Sequence, residues 1–376
     1  MKESSATLHW RPNFPSTDDP HPALPESLIR GEPLKLQQVI TVVGAHAEGE
    51  VGRVITGGVI APAAGSMLER QTILQRDQDW LRGMLLSDPR GSVNAAVNLV
   101  TPPIEKEADL GMIVIESNYY PPMSGSNLIC TVTAVLETGM FPMREPVTEL
   151  CVDTPAGLVR VRAECQGGKC RRVSFRNVPA CVLHSQKAIS VPGLGTITVD
   201  VAYGGMIYVI VSADELGFTL AQSEARSLVE VGERIKLAAA EALPSQHPAN
   251  PAIHTINQTL FAGPLTERDG VKTAKNAVVV SPGRIDRSPC GTGSSARMAL
   301  MHQRGQLELG EPFRHLSILD TEFLCSIVET TAIGNVPAVV TDVQGRAWLT
   351  GVSYYGTDPE DPFPQGYRLN DTWLAC

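Results

Sequence analysis

The chain has 376 residues, 43% of them hydrophobic, and it carries a formal net charge of −9. That length and content allow two domains, each with its own buried core. The acidic balance and the lack of a basic run argue against a phosphate-binding surface, so we expect no nucleic acid partner. No stretch approaches the roughly 20 apolar residues of a membrane span, and the N-terminus lacks a secretory pattern, so we expect a cytoplasmic protein without a membrane partner.

Eight cysteines are spread along the chain without the paired C-x-x-C spacing of a zinc site or the density of a disulfide scaffold. We therefore expect reduced thiols, and we interpret seven of them, including Cys130, as small buried or incidental residues. Cys290 is the exception because of its surroundings. His46 lies beside Glu48 and Glu50, a pattern compatible with metal binding, but a hydrogen-bonded structural histidine is the commoner outcome and we prefer it.

The N-terminal segment 1–35 contains six prolines and little apolar periodicity, which indicates a loosely packed extension. Charged and apolar residues alternate at helical spacing between Ser66 and Leu86, which predicts a surface helix over a sheet. Apolar runs predict the strands of this part of the chain at Leu36–Gly44, Arg53–Val59, Val93–Pro102 and Leu110–Ser117.

The last of these strands leads into the segment Met123-Ser124-Gly125-Ser126-Asn127. An apolar helix follows this turn and ends at Gly139, where a glycine is typical of a helix C-terminus. Beyond the helix, alternating patterns predict short antiparallel strands at Glu149–Thr154, Gly157–Cys165 and Arg171–Asn177.

The strand pattern restarts after the turn at Pro192–Gly193, and we place a domain boundary there. Segment Ala225–Ala242 is predicted to be an amphipathic helix. Its core face is predicted to carry Leu228, Val231, Ile235 and Leu237. The strands predicted in this half are Thr196–Ala202, Met206–Val211, His254–Phe261, Asn276–Val280, Phe323–Val328, Ala338–Val343 and Ala347–Val352.

A second strand, turn and helix surround Cys290. Val278, Val279 and Val280 form a buried strand pattern, the motif Asp286–Gly293 follows, and the apolar spacing of the next segment predicts a helix over Ser294–Arg304 with Gly305 at its end. This order places a cysteine beside free backbone N–H groups at a positive helix end. Such a site can bind a carboxylate and favour the thiolate.

The two turn-and-helix units have the same spacing, since 15 positions separate Ser124 from Gly139 and also Cys290 from Gly305. Strand-turn-helix units are common, so coincidence is the plainer interpretation. We favour an internal pseudo-repeat because spacing and residue order agree together. If the two helix N-termini pointed at each other, their N–H groups would share one carboxylate, with Ser124 and Cys290 on opposite faces of it.

The motif Asp286-Arg287-Ser288-Pro289-Cys290-Gly291-Thr292-Gly293 resembles the second catalytic motif of the proline racemase family, which includes hydroxyproline 2-epimerases and trans-3-hydroxyproline dehydratases. The first family motif is usually Met-Cys-Gly-His, and here it is Met123-Ser124-Gly125-Ser126. The resemblance extends from about Val39 to Gly351. It includes His46-Ala47-Glu48-Gly49-Glu50, Ala202-Tyr203-Gly204-Gly205 and Arg346-Ala347-Trp348.

The resemblance implies an α+β fold like that of diaminopimelate epimerase, with two pseudo-symmetric domains of mostly antiparallel strands around a central helix. We set the first domain at 36–193, with 353–376 as an optional addition, and the second at 194–352. By the same resemblance, Cys290 and Ser124 are the catalytic pair and Asp286 binds the ring amino group. The backbone donors for the carboxylate would be Gly125, Ser126, Gly291, Thr292 and Gly293. The family uses no metal and no cofactor.

Ser124 departs from the family pattern. A serine hydroxyl does not ionise at neutral pH, so it cannot mirror a thiolate base unaided. Two reactions remain open, both with hydroxyproline as substrate. In 2-epimerisation of 4-hydroxyproline, Cys290 exchanges a proton on one face and Ser124 serves the other. In dehydration of trans-3-hydroxyproline to a pyrroline carboxylate, one base removes the α-proton and the 3-hydroxyl leaves.

Three alternatives to this prediction remain. The chain could racemise proline, or it could be a catalytically silent protein that binds proline analogues. Isomerisation of a diacid ranks low, because only Arg287 and Arg297 near the motifs could hold a second carboxylate. We expect a small amino acid as the partner and leave a homodimer open.

Overall fold

The computed structural model describes residues 36–251, 253–281, 283–370 and 372. The predicted extension at 1–35 lies outside the described residues. Within the described part, no helix has the length and apolar character needed to cross a bilayer. The α-helices are α1 (Met67–Asp77), α2 (Trp80–Leu86), α3 (Gly125–Glu137), α4 (Ala225–Ala242) and α5 (Gly291–Gln303).

The described strands occur in runs before, between and after these helices. In chain order they are β1 (Gln37–Ala47), β2 (Glu50–Gly57), β3 (Ala95–Thr101), β4 (Leu110–Ile115), β5 (Val147–Thr154), β6 (Gly157–Gln166), β7 (Lys169–Arg176), β8 (Ala180–Val191), β9 (Gly195–Tyr203), β10 (Ile207–Ser212), β11 (Ile256–Ala262), β12 (Thr266–Arg268), β13 (Val271–Val280), β14 (Arg284–Ile285), β15 (Pro312–Leu316), β16 (Glu322–Ile333), β17 (Val336–Gly345) and β18 (Ala347–Thr357).

A first closed barrel surrounds α3. Its hydrogen-bonded neighbours run β18, β1, β2, β3, β4, β5, β6 and β7. The barrel closes because β7 pairs with β17, which continues into β18. Only the pairs β2–β3 and β4–β5 are parallel. Every residue of α3 from Gly125 to Leu136 is buried, as expected for a helix enclosed by strands on all sides.

A second closed barrel surrounds α5 and repeats this plan. Its neighbours run β17, β8, β9, β10, β11, β13, β15 and β16, and β16 pairs back with β17. The parallel pairs, β10–β11 and β13–β15, occupy the positions that β2–β3 and β4–β5 hold in the first barrel. The predicted fold class, α+β with two pseudo-symmetric halves of mostly antiparallel strands around a central helix, is confirmed.

The chain crosses from the first barrel to the second at residues 177–179, since β8 pairs with both β9 and β17. The predicted boundary at Pro192–Gly193 instead falls at the tip of the β8–β9 hairpin. β18 returns to the first barrel by pairing with β1. The limits of the domains stay a prediction, because strand pairing alone does not define independently folding units.

Two local predictions are wrong, and some strands, among them β8, were not predicted. The single surface helix over 66–86 is two helices, and α2 buries Leu81 and Leu85 completely. Strand β8 was missed because its middle is polar and its pairing with β9 shifts register there. Leu237 is 64% exposed, since it lies two residues after buried Ile235 and so on another side of α4.

Candidate active site

The structure brings the N-termini of α3 and α5 into contact. A Cβ built on Gly291 would lie 3.4 Å from Cα of Gly125. Ser124 and Cys290 are the residues immediately before these glycines. They therefore flank the junction, one from each half of the repeat. Neither side chain accepts a capping hydrogen bond from its own helix. The N–H groups of both first turns are thus directed at the junction at the positive ends of two helix dipoles.

Close packing explains the glycines at this junction. A Cβ on Gly125 would lie 2.7 Å from Cζ of Phe175, closer than a Cβ contact allows. A Cβ on Gly204 would lie 2.3 Å from the carbonyl oxygen of Thr292. The Tyr203-Gly204-Gly205 segment therefore serves as a close-packed wall for the start of α5, and a larger residue would force the helix away.

Cys290 is held in an uncommon backbone conformation, with φ 65° and ψ 105°. The residue is only 6% exposed. Its N–H donates to Oγ of Ser288 at 3.1 Å. Sγ lies 3.3 Å from Oη of Tyr208, and that hydroxyl lies 2.5 Å from Oγ1 of Thr292. The thiol therefore has a hydroxyl neighbour that can donate to it when it ionises.

The expected stabilisation of the Cys290 thiolate by the helix end is present but outweighed in the free protein. Burial raises the pKa of the thiol, and the negative charge of Asp286 raises it further. The hydroxyl of Tyr208 and the N–H of Gly293 at the start of α5 both lower the pKa, but they do not offset burial. Burial also raises the pKa of Tyr208 well above its ordinary value, so its phenol stays protonated. The thiol of Cys290 is consequently neutral at pH 7 and would be a strong base once ionised.

Asp286 is buried and forms the turn that leads to Cys290. Its Oδ1 accepts hydrogen bonds from the N–H of Ser288 at 2.8 Å and from the Ser288 hydroxyl at 2.9 Å. Burial raises the pKa of Asp286, and the neighbouring carboxylate of Glu50 raises it further. Asp286 can both cap this turn and bind an amino group, because a bound ammonium group would stabilise its ionised carboxylate.

A buried ion-pair network from the first barrel supports this turn. Arg284 pairs with Glu50 at 2.6 Å and with Glu116 at 3.5 Å, and all three residues are buried. The second oxygen of Glu50 accepts the N–H of Arg287 at 2.8 Å. The Glu50 carboxylate therefore connects strand β2 to the loop that carries Asp286. Sequence reasoning noticed Glu50 only as a neighbour of His46.

Ser124 has ordinary extended backbone, with φ −147°, and is half-buried. Its Oγ accepts a hydrogen bond from Nδ2 of Asn127 at 3.0 Å, and Oδ1 of Asn127 accepts from Asn98 at 2.9 Å. Oγ of Ser126 is 3.5 Å from Oγ of Ser124. Because Ser124 accepts from an amide, its own hydroxyl hydrogen is available for donation.

A cavity of about 660 Å³ lies beside the junction. Pro122 and Met123 line it from the first barrel, and Tyr203, Gly205 and Thr292 line it from the second. Its size suits a small molecule. The predicted residues Ser126, Gly125, Gly291 and Gly293 lie at the helix starts and are buried. Of the eight predicted site residues, Thr292 lines this cavity.

Two other predictions concern residues away from the junction. Cys130 is fully buried in α3, and burial raises the pKa of its thiol, as a structural cysteine requires. His46 accepts the N–H of Gly49 at 3.2 Å and stacks on Trp348 with ring centroids 5.2 Å apart. These contacts and this burial agree with the structural interpretation of both residues, which stays a prediction. In the described part of the chain, no group of three His, Cys, Asp or Glu residues is arranged to hold a metal ion.

Sequence reasoning missed Tyr119, Tyr208 and Gln258, which lie near Cys290. The only local signal was Tyr208, whose phenol interrupts the otherwise aliphatic start of β10. Tyr119 lies between strand β4 and Ser124, and Gln258 lies in β11 beside β10. Their approach to Cys290 depends on strand pairing over 50 or more residues, which local patterns do not reveal.

The strand-rich α+β fold with two enclosed helices is also found in more distantly related proteins. A Bacillus anthracis phenazine biosynthesis protein of the PhzF family shares the fold at 12% identity and a TM-score of 0.53, covering 85% of this chain and 99% of its own. The family model for proline racemase matches residues 42–368. The chain therefore belongs to the proline racemase family.

Two solved structures are much more similar. One is a hydroxyproline epimerase from Agrobacterium vitis with bound trans-4-hydroxy-L-proline, at 34% identity and a TM-score of 0.82, covering 90% of this chain and 97% of the other. The second is a probable proline racemase from Agrobacterium radiobacter with bound carbonate, at 36% identity and a TM-score of 0.82, covering 89% and 98%. The predicted family resemblance is confirmed.

Proposed function

We propose that this protein is an isomerase that removes and replaces the α-proton of hydroxyproline, with 2-epimerisation of trans-4-hydroxyproline as its main reaction. The observation that carries the proposal is the contact between the starts of α3 and α5, with Ser124 before one helix and Cys290 before the other. The similarity to the Agrobacterium vitis epimerase supports the choice of substrate.

The carboxylate of the substrate would bind between the helix N-termini. The donors are the backbone N–H groups of Gly125, Ser126, Gly291, Thr292 and Gly293. Loss of the α-proton gives the carboxylate enediolate character, and donors that are already fixed in place stabilise that charge without reorganisation. Two helix dipoles add to the same effect.

Cys290 would act as the base on one face of the α-carbon. Its raised pKa leaves the thiol neutral before substrate binds. A substrate ammonium group beside Asp286 would stabilise the ionised form of Asp286 and would offset its charge, which otherwise disfavours the thiolate. Binding and activation of the base would therefore be linked. The phenol of Tyr208, 3.3 Å from Sγ, would stabilise the thiolate by donating a hydrogen bond.

Ser124 would serve the opposite face. The hydrogen bond from Asn127 orients its oxygen and leaves the hydroxyl hydrogen to donate to the carbanion. Water would then return the proton to Ser124, and the hydroxide formed would take up the proton that Cys290 removed, so that both side chains are restored. Dehydration of trans-3-hydroxyproline needs only one thiol base and is the second reaction that this pair could support. A symmetric racemisation of proline by two thiols would require a second cysteine at position 124.

The test is incubation in heavy water with trans-4-hydroxy-L-proline, trans-3-hydroxy-L-proline and L-proline in separate reactions. We expect α-deuterium and the cis-4-hydroxy-D-proline epimer from the first substrate, with loss of both in Cys290→Ala. The matched control, Cys130→Ala, should keep the reaction. A cyclic imine from the second substrate would identify dehydration. Tight binding of pyrrole-2-carboxylate without deuterium incorporation from any substrate would contradict the proposal and indicate a silent binding protein.

A further inference from the structure

Gln258 carries a buried polar atom with no partner. The residue is 5% exposed, and its Oε1 has no hydrogen-bond partner among the described residues. Its Nε2 lies 3.5 Å from Oη of Tyr119 and 3.6 Å from Sδ of Met206. A buried carbonyl oxygen left unpaired destabilises a folded protein, so such an atom calls for an explanation.

The strand register places Gln258 on the wall that faces Cys290. Strands β10 and β11 are parallel, and Tyr208 is the direct neighbour of Gln258. Directly paired residues point to the same face of a sheet, and the Tyr208 hydroxyl lies 3.3 Å from Sγ of Cys290. Leu260, two residues along β11, also faces α5, because a Cβ built on Gly293 would lie 3.3 Å from Cδ1 of Leu260. The unpaired amide is therefore part of the candidate active site.

We propose that Gln258, together with Tyr119, binds the ring hydroxyl of the substrate and selects hydroxyproline over proline. The inference rests on the proposed function and extends it to substrate choice. Oε1 would accept a hydrogen bond from the ring hydroxyl. If the oxygen and nitrogen of the amide are exchanged, Oε1 contacts Tyr119 and the NH₂ group is left unpaired. A ring hydroxyl can then accept a hydrogen bond from that NH₂ group. Either orientation leaves one polar atom that a ring hydroxyl can satisfy.

The neighbours of the amide favour a neutral hydroxyl over a charged group. A phenol and a thioether contact Nε2, and neither carries a charge that would pair with an ionised substituent. Proline has no group to offer and would leave the amide unpaired. Loss of such a hydrogen bond with a buried partner corresponds to about 10- to 100-fold in kcat/KM.

The first experiment uses the wild-type protein and three substrates. The rates of α-deuterium incorporation are compared for trans-4-hydroxy-L-proline, L-proline and trans-4-fluoro-L-proline. Fluorine keeps an electronegative substituent at the same ring carbon but has no hydrogen to donate. We expect kcat/KM for proline and for the fluoro analogue to be at least about tenfold below that for hydroxyproline. Equal values for all three would overturn the inference.

The second experiment uses Gln258→Met, which keeps the length of the side chain and removes the amide. The ratio of kcat/KM for hydroxyproline to that for proline should fall by about tenfold or more, because the lost hydrogen bond is made only to hydroxyproline. Gln344→Met is the matched control, since Gln344 lies in β17 and its Nε2 reaches Glu164. An unchanged ratio, or an equal loss with both substrates, would overturn the inference.

The two proposals fail in different ways. If the wild-type protein exchanges no α-proton in any substrate, the proposed function and the hydroxyl site both fail. If it exchanges the α-protons of proline and hydroxyproline equally well, only the hydroxyl site fails. Should Gln258→Met not fold, the comparison with the fluoro analogue still decides the question, because it needs no variant.

Discussion

The starts of α3 and α5 occupy equivalent places in two barrels of the same topology, yet their chemistry differs. Ser124 has extended backbone, is half-buried and accepts from a neutral amide. Cys290 has φ 65°, is almost fully buried and lies between a phenol and a carboxylate turn. The fold thus supplies two similar sets of backbone N–H groups for a carboxylate. The residue before each helix and its neighbours determine which side chain lies on each face of the substrate.

Cys290→Ser makes the two helix starts chemically alike and should have the largest effect. A serine at 290 cannot ionise at neutral pH, so α-deuterium exchange should fall about 1000-fold. The measurement is proton NMR of trans-4-hydroxyproline in heavy water. Ser124→Cys is the reverse change, and it should keep the exchange because Cys290 is untouched. A Cys290→Ser variant with exchange near the wild-type rate would exclude Cys290 as the base.

Glu50→Gln tests the buried ion pair between Glu50 and Arg284, which stabilises the loop before the second helix start. The change leaves the Arg284 cation with the more distant Glu116 alone, so the free energy of unfolding should fall by about 3 kcal/mol. Urea denaturation followed by circular dichroism measures it. Asp77→Asn breaks an exposed pair with Arg76 and should leave the denaturation midpoint unchanged. Equal stability of both variants would show that the Glu50 pair adds nothing.

Ser124→Ala removes the hydroxyl from the first helix start and leaves the thiol in place. The rate at which one epimer is converted into the other should fall about tenfold or more. Exchange of the α-proton without inversion should continue for the one epimer whose α-proton faces Cys290. Chiral chromatography measures inversion, and NMR in heavy water measures exchange. Ser126→Ala is the control, since its backbone N–H is the group assigned to binding. If inversion and α-proton exchange fell equally for both epimers, Ser124 and Cys290 would not act separately on the two faces of the α-carbon.

Asp286→Asn should change how stability depends on pH, with the smallest effect. Burial and Glu50 raise the pKa of Asp286 to about 8, so the folded protein holds this proton more tightly than the unfolded chain does. Wild-type stability should therefore fall as pH rises from about 4 to about 8, relative to the variant, by at least about 1 kcal/mol. Urea denaturation at pH 5 and pH 8 measures the difference. A constant difference between the two proteins would contradict the raised pKa.

Sequence patterns predicted both helices of the site well, because each follows a strand and a glycine turn and ends at a glycine. They were less useful for β8, whose polar middle hides it, and for Leu237, whose position on α4 was misjudged. The Cys290 motif indicated a positive helix end but not the burial and the Asp286 charge that keep the thiol protonated. Burial depends on what packs over a residue, and local periodicity does not report that.

By itself the sequence determined that two equivalent strand-turn-helix units exist and that one begins with a serine and the other with a cysteine. The spacing of residues within each short segment is enough to recognise these units. Only the tertiary structure decided that the two glycines touch, that Glu50 reaches Arg284, and that Tyr208 and Gln258 face Cys290. Those contacts join segments far apart in the chain, and closing the two barrels is what brings them together.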